Sequence, residues 1–97
     1  MRDIGLKPQL AAEIRELARK HQIEKVILFG SRARGDHRNT SDIDLATTGG
    51  HAAGFALDVD ESTSTLLKYD FVNLDGAVQK DLRDAIDREG IVLYEKV

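Results

Sequence analysis

The residues of this chain best suited to chemistry are a glycine, a serine and three aspartates. Gly30-Ser31 is followed, after ten residues, by Asp42-Ile43-Asp44. On an extended strand side chains alternate, so Asp42 and Asp44 are predicted to face the same side, about 6.5 Å apart. Two carboxylates at that separation repel by roughly 2.5 kcal/mol at an effective dielectric of about 20. No Lys or Arg lies between them, so a divalent cation is the natural counter-charge, and oxygen-only ligation selects magnesium or manganese. A solvent-facing edge with both carboxylates hydrated is the alternative. Gly30 ends an apolar run and lets backbone approach a ligand, while Ser31 opens a helical turn whose free N–H groups can hold phosphate oxygens. An ordinary strand–helix turn with a serine cap would use the same two residues. From average residue usage, both features at this spacing arise by chance in roughly one such chain in a thousand. A third carboxylate, Asp70, sits in Tyr69-Asp70-Phe71-Val72, where an acid needs a partner or an ion. Arg32 and Arg34 are the competing partners.

The elements that must position these residues are readable from periodicity. Pro8 to Lys20 forms an amphipathic helix with Leu10, Ile14, Leu17 and Ala18 on one face. Lys25 to Phe29 is a buried strand, Ser31 to Gly35 a helical turn and Asp36 to Ser41 a polar loop. Ile43, Leu45 and Ala46 mark a second strand, with Ile43 facing the core. Gly49 to Gly54, with its three glycines, reads as the most mobile loop. A helix is expected within Phe55 to Leu67, a third strand at Tyr69 to Leu74, and a second amphipathic helix over Val78 to Glu89, capped by Gly90. Ile91 to Tyr94 is the last strand. Strands alternate with helices throughout, which argues for an α/β sheet in layers.

Composition narrows the classes further. Ninety-seven residues with 41% apolar and 32% charged content, one Pro and eight Gly are expected to make one domain, residues 1–97. Fourteen basic against seventeen acidic residues give a formal charge of −3, so direct non-specific nucleic-acid binding is not expected. The absence of Cys removes disulfides, thiolate metal sites and thiol nucleophiles. Met1 to Gly5 shows no apolar leader and no run suits a membrane span, so a cytoplasmic protein is expected. His21, His37 and His51 stand apart and read as surface residues, as do Asp58, Asp60, Glu61, Asp75, Asp81, Asp84 and Asp87. Neither a P-loop nor a dinucleotide-binding glycine pattern is present, and Ser31 lacks hydrolase partners.

Phe29-Gly30-Ser31-Arg32-Ala33-Arg34-Gly35 and Ser41-Asp42-Ile43-Asp44-Leu45 resemble the signature of the DNA polymerase β-like nucleotidyltransferases. Within that superfamily the chain is similar to the minimal nucleotidyltransferases, the MntA-type antitoxins of HEPN/MNT toxin–antitoxin pairs. The similarity runs from the leading helix to the ending Arg88-Glu89-Gly90-Ile91-Val92-Leu93-Tyr94-Glu95. It implies a mixed sheet of about four strands packed against helices. It also implies that Asp42, Asp44 and Asp70 are the catalytic, magnesium-binding residues, and that Gly30 and Ser31 hold the triphosphate of ATP. The family reaction transfers AMP from ATP to a hydroxyl, in the antitoxin case a tyrosine of a cognate, all-helical HEPN ribonuclease. Nucleotidyl transfer uses two Mg²⁺ ions about 3.5–4 Å apart, and Asp70 would lie beside the acceptor and help take its proton. One of Arg32 and Arg34 could reach a phosphate oxygen; surface charge or a pair with Asp36 or Asp70 is the plainer role for both. The Gly- and Ser/Thr-rich stretch between Asp44 and Asp70 departs from the family pattern where the nucleobase and acceptor would be met. A small-molecule acceptor presented by a separate substrate-binding subunit, and a non-catalytic antitoxin acting by occlusion, are the alternatives. A chain of this size leaves little for a second wall, so a partner is expected to complete the acceptor site.

Overall fold

The computed structural model describes residues 5–97; the reading of Met1 to Ile4 as lacking a leader lies outside them. Pro8 fills the first turn of helix α1 (Pro8–Lys20), where its missing N–H has no partner to lose. Leu10, Ala11, Ile14 and Ala18 form its buried stripe, with Leu17 beside them. Gln22 takes a left-handed turn (φ 58) that sends the chain into strand β1 (Lys25–Phe29). One helical turn, α2 (Ser31–Arg34), and a loop lead to β2 (Ile43–Thr48), which lies antiparallel to β1. Helix α3 (Ala52–Ser62) crosses over to β3 (Tyr69–Asn73), parallel to β2. Helix α4 (Lys80–Glu89) then returns the chain to β4 (Ile91–Glu95), antiparallel to β1 on its other side. The sheet order is β3-β2-β1-β4, a mixed sheet of four strands as expected.

Alternation gives the sheet two unlike faces. Val26 and Leu28 of β1, Ile43 and Leu45 of β2 and Leu93 of β4 pack with Leu10, Ile14 and Ala18 of α1 and Phe55 and Val59 of α3. The opposite face holds a much smaller cluster, Ile27, Ala46 and Ile86, bordered by Phe29, Val72 and Leu74.

The largest departures from the sequence reading are at the ends of α3 and the start of α4. Ala52, Ala53 and Gly54 are the first turn of α3 rather than part of a loop. The turn before it is tied down: Gly49 and Gly50 both have positive φ, the His51 amide donates to the His21 carbonyl at 2.9 Å, and a side chain on Gly50 would strike the Gln22 carbonyl. At its other end α3 stops at Ser62, because hydroxyls take over backbone partners: Thr63 Oγ1 donates to the Val59 carbonyl at 2.7 Å, and Ser64 donates to Glu13. Helix α4 starts at Lys80, two residues after the expected Val78. Gly90 does end it, yet in an extended conformation (φ −66, ψ 148), so glycine is required there by space: a Cβ would overlap the Ile27 side chain and the Ile86 carbonyl. No helix among the described residues is long and apolar enough to cross a membrane.

Candidate active site

Asp44 stands on β2 between Ile43 and Leu45, so it emerges on the face opposite the main core. The parallel pairing of β2 with β3 sets Asp70 in register with it, and the antiparallel pairing with β1 sets Phe29 on its other side. Asp70, on an edge strand, is exposed, and Asp44 is half-buried. The two carboxyl groups stand side by side across the sheet and act on each other's charge. Asp44 is accordingly pushed up from 3.8 to about 6, by burial first, then by Asp70 beside it and the charge of Asp42. Arg34 pulls weakly the other way.

Phe29 leads directly to Gly30, whose backbone (φ 74, ψ −156) lies in a region that only glycine occupies readily. A Cβ at Gly30 would overlap the Asp44 carboxylate. Glycine is thus needed on two counts, the turn and the room for Asp44; the sequence supplied a third, approach to a phosphate. Ser31 then begins α2. The Gly30 carbonyl accepts from the amides of Ala33 and Arg34, both at 3.1 Å, and Gly35 closes the turn in the left-handed region (φ 88). As at any helix start, the first amides have no intrahelical acceptor and are free to meet an anion.

Asp42 sits differently from the expectation. Strand β2 begins at Ile43, so Asp42 is the last residue of the preceding loop and is exposed. The stronger acid–acid contact therefore runs across the sheet to Asp70, and the one along the chain to Asp42 is weaker. Among the described residues no three acidic or imidazole groups converge tightly enough, as they stand, to enclose a metal ion. The chemistry of the donors still suits a hard cation: three carboxylates, no thiol and no imidazole beside them. Asp44 and Asp70 are already adjacent, and Asp42 would have to turn toward them.

Neither arginine pairs with Asp70. Arg34 bridges Asp36 at 3.2 Å and Glu89 at 3.1 Å, linking α2 to the end of α4. Arg32, expected on the surface, is 7% exposed and bonds only to backbone carbonyls. In the run Ser31-Arg32-Ala33-Arg34 nothing marks which arginine points inward, so the sequence carried no signal for it. His21 and Asp58 were likewise read as independent surface groups. They meet at 2.6 Å, with Lys20 on the same carboxylate at 3.2 Å, and fasten the end of α1 to α3. That bond to His21, then Lys20, holds the Asp58 carboxyl below its usual range. His37 keeps a buried Nδ1 without a partner. A hollow of about 650 Å³ is lined by Leu6, Leu10, Arg32, Asn39, Ser64 and Leu67 and contains none of the three aspartates. It lies on the α1 side, and the chemistry is placed by the carboxylates rather than by that volume.

A glycine turn thus ends one strand, and two aspartates stand in register on the next two. Residues 12–97 match the family described as Polymerase beta, Nucleotidyltransferase, and the chain belongs to that family. It is 47% identical over 51 residues to a Methanocaldococcus jannaschii protein named as a candidate protein adenylyltransferase. That match covers 53% of this chain and 49% of the relative, so the chain spans about half the length of the curated relative it matches. Among solved structures it is similar in fold to a toxin–antitoxin with AMP-PNP, at a TM-score of 0.72 and 22% identity over 89% of this chain and 73% of that one. A mutant of the toxin–antitoxin MntA-HpeT gives 0.71 and 20% identity over the same shares. A candidate nucleotidyltransferase from Sulfolobus solfataricus gives 0.55 and 24%, covering 90% of this chain and 78% of that one.

Proposed function

We propose that this chain is, as a single nucleotidyltransferase domain, a Mg²⁺-dependent enzyme that transfers AMP from ATP to a hydroxyl of a protein partner, a tyrosine of a HEPN-type, all-helical toxin. The observation that carries the reading is the pairing of Asp44 with Asp70 in register, beside a Gly30 that must lack a side chain. Membership of the nucleotidyltransferase family supports the reaction type. The protein acceptor is supported by the name of the Methanocaldococcus jannaschii relative, and the toxin by the toxin–antitoxin neighbours, one of them described with AMP-PNP. ATP as the donor implies a cytoplasmic setting.

In this reading Gly30 and Ser31 hold the triphosphate against the start of α2, and Asp42, Asp44 and Asp70 hold two magnesium ions. Magnesium held there would lower the pKa of the acceptor hydroxyl and neutralise the departing charge. The acceptor oxygen attacks the α-phosphorus, the bond to the β-phosphate breaks, and pyrophosphate leaves. Asp70, the more exposed member of the pair, faces the side from which an acceptor can enter and takes the hydroxyl proton. Asp44, half-buried, stays in place as an anchor. Asp70 is exposed on an edge strand, and a chain of this size leaves little for a second wall, so the acceptor is expected to arrive on a folded partner.

The test is covalency. The partner, co-expressed with this chain, is separated under denaturing conditions, refolded and weighed. The proposal expects a mass gain of one or more AMP units and persistent inactivity of the partner. A partner of unchanged mass that recovers activity on separation would show occlusion instead, and AMP found only on small molecules would show a different acceptor.

A further inference from the structure

Arg32 is a buried guanidinium whose hydrogen bonds go to no acid. Its Nε donates to the Ser41 carbonyl at 3.0 Å, Nη1 to Gly5 at 2.8 Å, and Nη2 to Arg38 at 3.3 Å and Asn39 at 3.2 Å. A buried charge is costly unless its donors are met, and here a crown of carbonyls meets them. Three of the four belong to residues 38–41, the segment that delivers Asp42. That segment is itself a closed turn, with the Ser41 amide on the Arg38 carbonyl at 3.0 Å and the Arg38 amide on Ser41 Oγ at 2.9 Å. On the far side of Asp42, the Ile43 amide donates to the Lys68 carbonyl at 2.9 Å. Asp42 thus hangs between two fixed points, one held by Arg32 and one by the sheet.

We infer that Arg32 is a positioning residue for Asp42. It sets, through the Arg38–Ser41 turn, where that carboxylate stands relative to Asp44 and Asp70. The inference rests on the nucleotidyl-transfer reading of the three aspartates. Asp44 and Asp70 are placed by strand register and need no such help. Asp42 lies outside the strand, so on its N-terminal side the loop places it. Only a planar fork with five N–H donors can serve carbonyls lying on several sides at once; a lysine ammonium offers three donors from a single point. Gly5 completes the clasp. Its amide donates to the Arg32 carbonyl at 3.1 Å, its carbonyl accepts from the side chain, and a Cβ on it would overlap Arg32. The segment entering α1 and the loop entering β2 are therefore joined through one side chain.

The experiment compares wild type with Arg32→Lys and with Ser41→Ala, which loosens the same turn without touching the buried charge. Mn²⁺ binding in the presence of a non-hydrolysable ATP analogue is measured by calorimetry, and amide exchange is followed over residues 38–43. Arg32→Lys is expected to weaken Mn²⁺ binding about tenfold and lower kcat about 10- to 100-fold, with KM for ATP nearly unchanged. Exchange should quicken in residues 38–43 but not in β1 or α1, and Ser41→Ala should move the same quantities less far. Unchanged Mn²⁺ affinity and kcat per folded molecule, with only a lowered Tm, would make Arg32 a structural tie and overturn the inference. If Arg32→Lys does not fold, Ser41→Ala decides on the same readings. A wild type that binds Mn²⁺ but transfers no nucleotide would count against the reaction while the binding and exchange measurements still judge Arg32.

Discussion

One strand, β2, does opposite work on its two sides. Ile43 and Leu45 are fully buried under α1 and α3, while Asp44 between them opens onto the face that α4 covers only in part. Among the described residues the covered face has twelve buried residues in one continuous cluster, enough to specify the fold; the other has three, gathered where Ile86 meets Ile27 and Ala46. Beyond those three, the same face holds Phe29, Asp44 and Asp70. A chain this short has one sizeable core to build. The comparison teaches that the uncovered half of the second face is where two acids can be set side by side, because packing there asks little of them.

Mutations on the two faces should separate stability from activity. The largest effect on folding belongs to the covered face. Phe55, fully buried and edge-on to Phe71, is expected to lose about 3–5 kcal/mol when replaced by Ala. Urea unfolding would read this, and a loss below about 1 kcal/mol would mean that this face is not the core. On the open face, Gly30→Ala introduces both backbone strain and an overlap with Asp44. It should lower stability by about 1–3 kcal/mol and, in calorimetry, reduce ATP affinity in a protein whose circular dichroism is native. Retained affinity would place the nucleotide elsewhere.

The smallest effect is a pH dependence. Asp44 holds its proton up to about 6 in the folded chain, against 3.8 ordinarily. From pH 4 to 6 the folded state keeps a proton that the unfolded chain has released, so this group makes stability fall as pH rises through that window, then level off. After allowance for solvent the amount is about 1–2 kcal/mol. Asp44→Asn removes it, so without magnesium the variant should melt at the same temperature as wild type or higher at pH 7, with the difference closing toward pH 4. A variant less stable than wild type at pH 7 would mean that the Asp44–Asp70 contact is not a strained one.

Much of this was legible in the residues. The strand bounds of β1, the helix α1 and the face of Ile43 follow from apolar runs and periodicity, which packing merely confirmed. Asp70 was visible as an acid in an apolar strand, but its register with Asp44 was not, since pairing between strands leaves no local mark. The limits of α3 were hidden because Ala52 to Gly54 carry loop-like glycine while the hydroxyls after Ser62 break a helix by competing for its carbonyls. Gly90 looked like a left-handed cap and is instead a matter of space. Arg32 and His21 were read from residue type as exposed, and only the tertiary fold supplied the carbonyls and the Asp58 that bury their polar ends.

The central claim, that the paired acids of the open face carry nucleotidyl transfer, is tested most directly by incubating wild type and Asp44→Asn with α-labelled ATP, Mg²⁺ and the purified partner. Wild type should place label on the partner and lose that ability with chelator. Asp44→Asn, folded and at least as stable at pH 7, should transfer at least about a thousandfold less, a barrier rise of about 4 kcal/mol. Transfer by Asp44→Asn at the wild-type rate, or label appearing on the partner with magnesium fully chelated, would contradict the account.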